Sequence, residues 1–426
     1  MNRIIDIDAL EILDSRGFPT VRTTVLLDNG TAGVAMVPSG ASTGEREAFE
    51  LRDNDAARYL GKGVLKAVKN VKQKIAPALK GLEVHKQNYI DQLMIELDGT
   101  PQKKNLGANA ILSVSLAVAH ASANANKTPL FKNLNKDLQN FFLPVPLMNV
   151  INGGQHANNN IDFQEFMIVP HGANCFSESI RYGAEVFQKL KSMIEKMGMS
   201  SAVGDEGGFA PNLDSNEHAL SLILDSIESA GYAPGEDISI ALDVASSEFY
   251  KDNLYHIDSE GLKLNSEEMC SFLTKLVKNY PIVSIEDGMD QNDWTGWQKL
   301  TSSLGNDTQL VGDDLFVTNV EFLQKGINEK SANSILIKVN QIGTLSETLS
   351  TIELANANNF EVVVSHRSGE TEDNSISDLA CSSGATQIKA GSMSRSDRLS
   401  KYNRLLVIEH MLGADCSFSG SKIFKK

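Results

Sequence analysis

Cysteine is scarce in this chain. Its four residues (Cys175, Cys270, Cys381 and Cys416) stand far apart, with no Cys-x-x-Cys pair. They read as free thiols in a reducing compartment rather than as a disulfide framework. A long uninterrupted apolar run is missing as well. The longest small-apolar stretch, about 107–125, is broken by Asn109, Ser113, Ser115, His120 and Asn124, and predicts a buried helix, not a membrane span. The opening MNRIIDIDALEIL carries acids inside its apolar stretch, which argues against a signal peptide. Positive charge is in deficit: 39 Lys and Arg against 54 Asp and Glu leave a net charge of −15. With a pI near 5.1, nucleic-acid binding by bulk charge is excluded. An anionic substrate would then need a local cationic patch or a metal. Low-complexity tracts and internal sequence repeats are absent. These deficits predict a soluble cytoplasmic chain with no direct nucleic-acid partner and no membrane insertion.

What is present is enough apolar material, 41% of 426 residues, for a sizeable core, in a chain long enough for two domains. Residues 3–37 read as strands. Val21, Thr23, Val25 and Leu27 alternate with the residues between them, and Asp28-Asn29-Gly30 supplies a hairpin turn. A glycine-serine loop, Pro38 to Gly44, has the composition of a lid and equally of an ordinary loop. Helical stretches follow at about 62–78, 86–97 and 107–126. Strands first and helices afterwards predict a small α+β domain over 1–138. The two prolines of FFLPVP (141–146) mark the boundary, and 139–426 forms the second domain. It opens with strands at about 145–151 and 164–169 and a helix at about 177–197.

Six apolar segments in this second domain each end in a charge: Asp243, Glu286, Asp313, Lys338, His366 and Lys389. Strand-then-helix units recurring about every 25 residues predict a parallel sheet, and in a strand-helix barrel all those ends share one face. A charge left unpaired at the end of a buried strand costs several kcal/mol or more. Asp243, Glu286 and Asp313 at such a rim repel one another unless a cation sits among them. Hard oxygen ligands without Cys or His favour Mg²⁺. One such acid alone could equally cap a helix. Three in register favour a metal. Lys338 closes a buried strand, where Lys389, Arg367 and a metal would push its pKa below the ordinary lysine value and fit it as a proton-abstracting base; the bland alternative is a structural ion pair with Asp313 or Glu286. Ser365-His366-Arg367-Ser368-Gly369 lies where a strand turns into a helix and suits a phosphate or carboxylate, through a bidentate guanidinium and a helix N-terminus. Glu206 lies in a glycine-hemmed loop, GDEGGFAP, whose glycines would let a ligand approach closely. If Glu165 and Glu206 lie side by side, repulsion keeps one protonated as a general acid, although either could be a solvated loop acid. His156 stands on a glycine loop, and its role is open at this level.

Ten blocks of the sequence, SGASTG, INGGQHANN, QEFMIVP, GDEGGFAPN, ALDVASSEFY, SIEDGMDQNDW, LVGDDLFVTN, ILIKVNQIGTLSET, SHRSGETED and IKAGSMSRSDR, resemble those of the enolase family in the same order, essentially end to end. The resemblance implies an α/β architecture: a modified C-terminal (β/α) barrel with a smaller N-terminal α+β domain. It implies reversible dehydration of 2-phosphoglycerate to phosphoenolpyruvate by an intracellular homodimer or higher oligomer. It places magnesium ligands on Asp243, Glu286 and Asp313, the base on Lys338, and the general acid on Glu206 assisted by Glu165. Substrate contacts fall on Gln164, His156, His366, Arg367, Ser368 and Lys389. A second Mg²⁺, arriving with substrate, would meet Ser42 of the loop. The chain departs from the family pattern at Phe18, usually Asn, at Ser113, often Gly, and in the tail Lys425-Lys426. Two other functions compete with this one. Superfamily racemases and cycloisomerases often carry Lys-x-Lys near the second barrel strand, and no such pair lies between residues 145 and 175. Enolase-like chains also serve as surface plasminogen receptors or in RNA-decay assemblies, so secondary partners and a cell-surface or secreted pool fit the resemblance too.

Overall fold

The computed structural model describes residues 2–40, 44–135 and 141–424. Ser42, the expected boundary at 138/139, and Lys425 and Lys426 lie outside the described residues. At the N-terminal end, β1 (Ile4–Leu13), β2 (Pro19–Leu27) and β3 (Ala32–Met36) form an antiparallel meander. The alternation read from the sequence works as a packing face: Val21, Thr23, Val25 and Leu27 are fully buried. The helix Ala108–Ala125 covers that face and is buried along nearly its whole length, as its lack of charge requires. Ser113, one of the departures, is joined to the sheet by a hydroxyl–hydroxyl contact of 2.7 Å with Thr23. Phe18 lies under the ammonium of Lys62, 3.9 Å from its ring centre.

Among the described residues, eight strands close a barrel: β4 (Val145–Asn152), β5 (Glu165–Val169), β6 (Ser239–Asp243), β7 (Ile282–Glu286), β8 (Gln309–Gly312), β9 (Ser334–Ile337), β10 (Glu361–Ser365) and β11 (Gln387–Lys389). The fold is an α/β barrel with a smaller N-terminal α+β unit, as expected. The six charge-ended segments pair in parallel, as expected, but the barrel they complete is not wholly parallel. β5 runs antiparallel to both β4 and β6. The link from β4 to β5 holds only the short turn Gly154–His156 and no crossover helix, and the chain turns back. The reversal puts the first residue of β5, Glu165, on the rim where the other strands end, directly opposite Asp243. The long interval between Asp243 and Glu286 is filled by a small meander, Tyr250–Lys251, Leu254–Ile257 and Leu262–Leu264, set before the helix Ser266–Asn279.

A strand period of two sorts the inward positions into layers. Val145, Leu147, Met167, Val169, Ala241, Val311, Leu336 and Val363 make an apolar plug inside the barrel. Phe418, Ile423 and Phe424 of the C-terminal segment pack against that plug. Two residues further along the same strands, the inward positions are Asp243, Asp313, Lys338 and Ser365.

Candidate active site

The rim side chains are almost entirely inaccessible: Asp243, Glu286, Glu206, His366 and Lys389 are 2–3% exposed. Every charge here must therefore find a partner within the protein. Lys389 Nζ lies 2.8 Å from Asp243 Oδ2, 2.9 and 3.0 Å from the two Glu286 oxygens and 3.1 Å from Glu165 Oε1. Lys338 Nζ donates to Asp313 Oδ2 at 2.5 Å. Gln164 donates to Asp243 Oδ2 at 3.3 Å. The three carboxylates expected to hold magnesium are thus gathered on one rim but paired through lysines. Among the described residues, the acidic groups whose ligand atoms lie within 4.8 Å of one another are His156, Glu165 and Glu206, and Asp287, Asp313 and Asp314. Either cluster could hold a metal ion. The donor chemistry of Asp243, Glu286 and Asp313 fits a hard divalent cation as well. The Glu286 carboxyl is pushed well above the usual range by burial first, then by the negative charges of Asp243 and, to a lesser degree, Asp313, a repulsion that a cation relieves.

Lys338 does not carry the depressed pKa expected of it. Burial is the largest influence and disfavours its ammonium, but Asp313 and, more weakly, Glu286 act the other way, and the pKa is raised.

Glu165 and Glu206 do lie on either side of one imidazole: His156 Nδ1 is 3.4 Å from Glu165 Oε1 and 3.7 Å from Glu206 Oε1. The two carboxyls are pushed in opposite directions. Burial, then the charge of Glu206, drives the Glu165 carboxyl up. Burial acts on Glu206 too, yet His366 and His156 pull it well below the usual range. The reason is a residue that sequence reasoning missed. Arg398, fully buried, donates Nη1 to His366 Nδ1 at 2.5 Å. A guanidinium only donates, so Nε2 is the nitrogen left to present a hydrogen to Glu206 Oε2, 3.0 Å away. Burial, with Arg398 beside the ring, lowers the His366 pKa to about 3. Arg398 also donates to the Arg367 and Ser368 carbonyls at 2.5 and 2.6 Å, which fixes the loop after β10. Its only sequence signal is its place in a matched block; an arginine on the helix Ser396–Leu412 otherwise reads as solvent-facing.

At the other end of the pocket, His156 Nε2 lies 3.2 Å from Ser368 Oγ, and Arg367 is buried. No helix begins at this loop; the next one spans Ser375–Ser382, so an anion here would be held by side chains and not by a helix N-terminus. The glycines around Glu206 also act otherwise than expected. A Cβ on Gly207 would sit 2.6 Å from the Ser394 carbonyl, and one on Gly208 2.4 Å from Asn152 Oδ1: they let the loop pack on its neighbours rather than admit a ligand. A pocket is lined by His156, Glu206, Asp243, Lys338, Arg367 and Lys389, among others.

Buried acids, two lysines and a histidine–carboxylate relay on the rim of an α/β barrel define an enzyme that moves protons beside a carbon acid. The family models agree with that class. The one described as "Enolase, C-terminal TIM barrel domain" matches residues 140–426, and "Enolase, N-terminal domain" matches residues 4–134. The chain belongs to the enolase family, whose superfamily members use Mg²⁺.

Proposed function

We propose that the chain is a phosphopyruvate hydratase that interconverts 2-phosphoglycerate and phosphoenolpyruvate. The observation that carries this reading is the opposition, across one pocket, of an amine (Lys338) and a carboxylate–imidazole relay (Glu165, His156, Glu206, His366), with Arg367 and Ser368 at its end. Removing a proton from the carbon beside a carboxylate builds up negative charge that only dense positive charge can carry. Asp243, Glu286 and Asp313 would hold magnesium, which would supply that positive charge. Lys338 then takes the C2 proton. Lys389 stabilises the charge that develops on the carboxylate. The Glu165–Glu206 pair, holding one proton between them, lets the C3 hydroxyl leave as water through Glu206. Arg367 and Ser368 hold the phosphate, with His156 and Gln164 completing the contacts. A second magnesium ion at Ser42, a cytoplasmic location and a homodimer or higher oligomer belong to the same reading; light scattering checks the last. The test is the rise of phosphoenolpyruvate absorbance from 2-phosphoglycerate with magnesium and with chelator. Absence of turnover with magnesium, or turnover indifferent to the chelator, would refute it.

A further inference from the structure

Arg367 is approached from the other domain. Glu47, in the segment that follows the glycine-serine loop, meets it at two points: Nη1 to Oε2 at 2.8 Å and Nη2 to Oε1 at 3.1 Å. Asn340 Oδ1 accepts a further hydrogen from Nη1 at 3.2 Å. A guanidinium carries its five N–H groups on a rigid planar fork, so a grip at two points sets the plane and direction of the whole group. Glu47 is itself fixed. Its Oε1 accepts from the Gly44 backbone at 3.0 Å and from Gln341 Nε2 at 3.3 Å, and the Ala48 N–H donates to the Gln341 carbonyl at 2.7 Å. The same Gln341 amide donates to Asp313 Oδ1 at 2.8 Å, and the other oxygen of Asp313 holds Lys338. Gln341 is locked in that orientation because its Oε1 accepts from Thr318 Oγ1 at 2.8 Å, and it is 1% exposed. One chain of contacts thus runs Arg367–Glu47–Gln341–Asp313–Lys338, with a small-domain carboxylate inside it.

We infer that Glu47 is a positioning residue: it aims Arg367 at the anionic end of the substrate and, through Gln341, ties that end to the Asp313–Lys338 pair. The inference rests on the reading of Arg367 as the phosphate contact. The small domain then supplies part of the working geometry of the barrel site.

The experiment compares wild type, Glu47→Gln, Glu47→Asp and Gln341→Met by calorimetric titration with inorganic phosphate, by steady-state kinetics on 2-phosphoglycerate with saturating magnesium, and by thermal unfolding. Glu47→Gln is expected to weaken phosphate binding and raise KM by about tenfold to a hundredfold, the span of a charge-assisted hydrogen bond, with a smaller change in kcat. Glu47→Asp should recover part of the loss. Gln341→Met should lower kcat and weaken phosphate binding less than Glu47→Gln does. Glu47→Gln with wild-type KM and phosphate affinity overturns the inference. Tighter phosphate binding by Glu47→Gln also overturns it, since Glu47 would then be a competitor for Arg367. Equal loss of phosphate affinity in Glu47→Gln and Glu47→Asp, together with a lowered unfolding temperature, reduces Glu47 to a domain contact and overturns it too. A wild type that neither binds phosphate nor turns over phosphoglycerate overturns the reading of Arg367, and this inference with it; a fully active wild type beside an unaltered Glu47→Gln overturns the inference alone.

Discussion

Two layers of the same barrel, one strand period apart, are built on opposite terms. Val311, Leu336, Val363 and Ala241 fill the inside with apolar volume and gain from burial alone. Asp313, Lys338, Ser365 and Asp243, two residues further along, are largely shut off from water too, yet three of them hold charge and are tolerable only as part of a mutually compensated set. The backbone does not distinguish the layers. The lower layer needs shape, and an apolar residue of similar volume serves it. The upper needs specific partners at specific distances, and one missing partner leaves the others stranded. The barrel's stability is generated in one layer and spent on chemistry in the next.

The comparison can be broken first at the base. Lys338→Ala should lower turnover by about 10²–10⁴-fold, the usual contribution of a positioned general base, and abolish exchange of the C2 proton with solvent, followed by NMR. Glu206→Gln should fail to make product yet keep that exchange. A Lys338 variant that still exchanges the C2 proton removes the base assignment. Lys389→Met tests the compensated set. With Asp243, Glu286 and Glu165 left without their shared ammonium, denaturant unfolding should show a loss of about 3–5 kcal/mol, the cost of stranding buried charge, and added magnesium should restore part of it, more than in wild type. A stable Lys389→Met would mean the rim charges are not mutually dependent. In the apolar layer, Leu336→Ala should cost about 2–5 kcal/mol by the same measurement, through a cavity and lost burial, with KM for substrate unchanged. Smallest is Ser113→Ala in the small domain: it strands the fully buried Thr23 hydroxyl and should cost about 1–3 kcal/mol.

Most of the rim is legible in the sequence, because a charge closing an apolar strand is a local signal. Asp243, Glu286 and Lys389 are the last residues of their strands, and Asp313, Lys338 and His366 each stand one residue past theirs. Glu165 breaks the rule by standing at the start of its strand. Its place on the rim follows from the reversed direction of β5, which is a property of the sheet and not of the five residues in it. Arg398 and Glu47 give no local signal. Each acts on a residue far away in the chain: Glu47 on one 320 positions on, Arg398 on a histidine 32 positions back.

The amino-acid order alone determined the family blocks, the strand-helix rhythm, the alternation that buries one face of β2 and the presence of charge at the strand ends, since each is written within a few neighbouring residues. Only the folded chain decided which lysine meets which carboxylate, that Lys338 lies against Asp313, that Glu165 and Glu206 flank one imidazole, and that a carboxylate from the small domain grips Arg367. Coulomb and hydrogen-bond energies depend on separations of a few ångströms between residues tens to hundreds of positions apart, and those separations exist only once the barrel has closed.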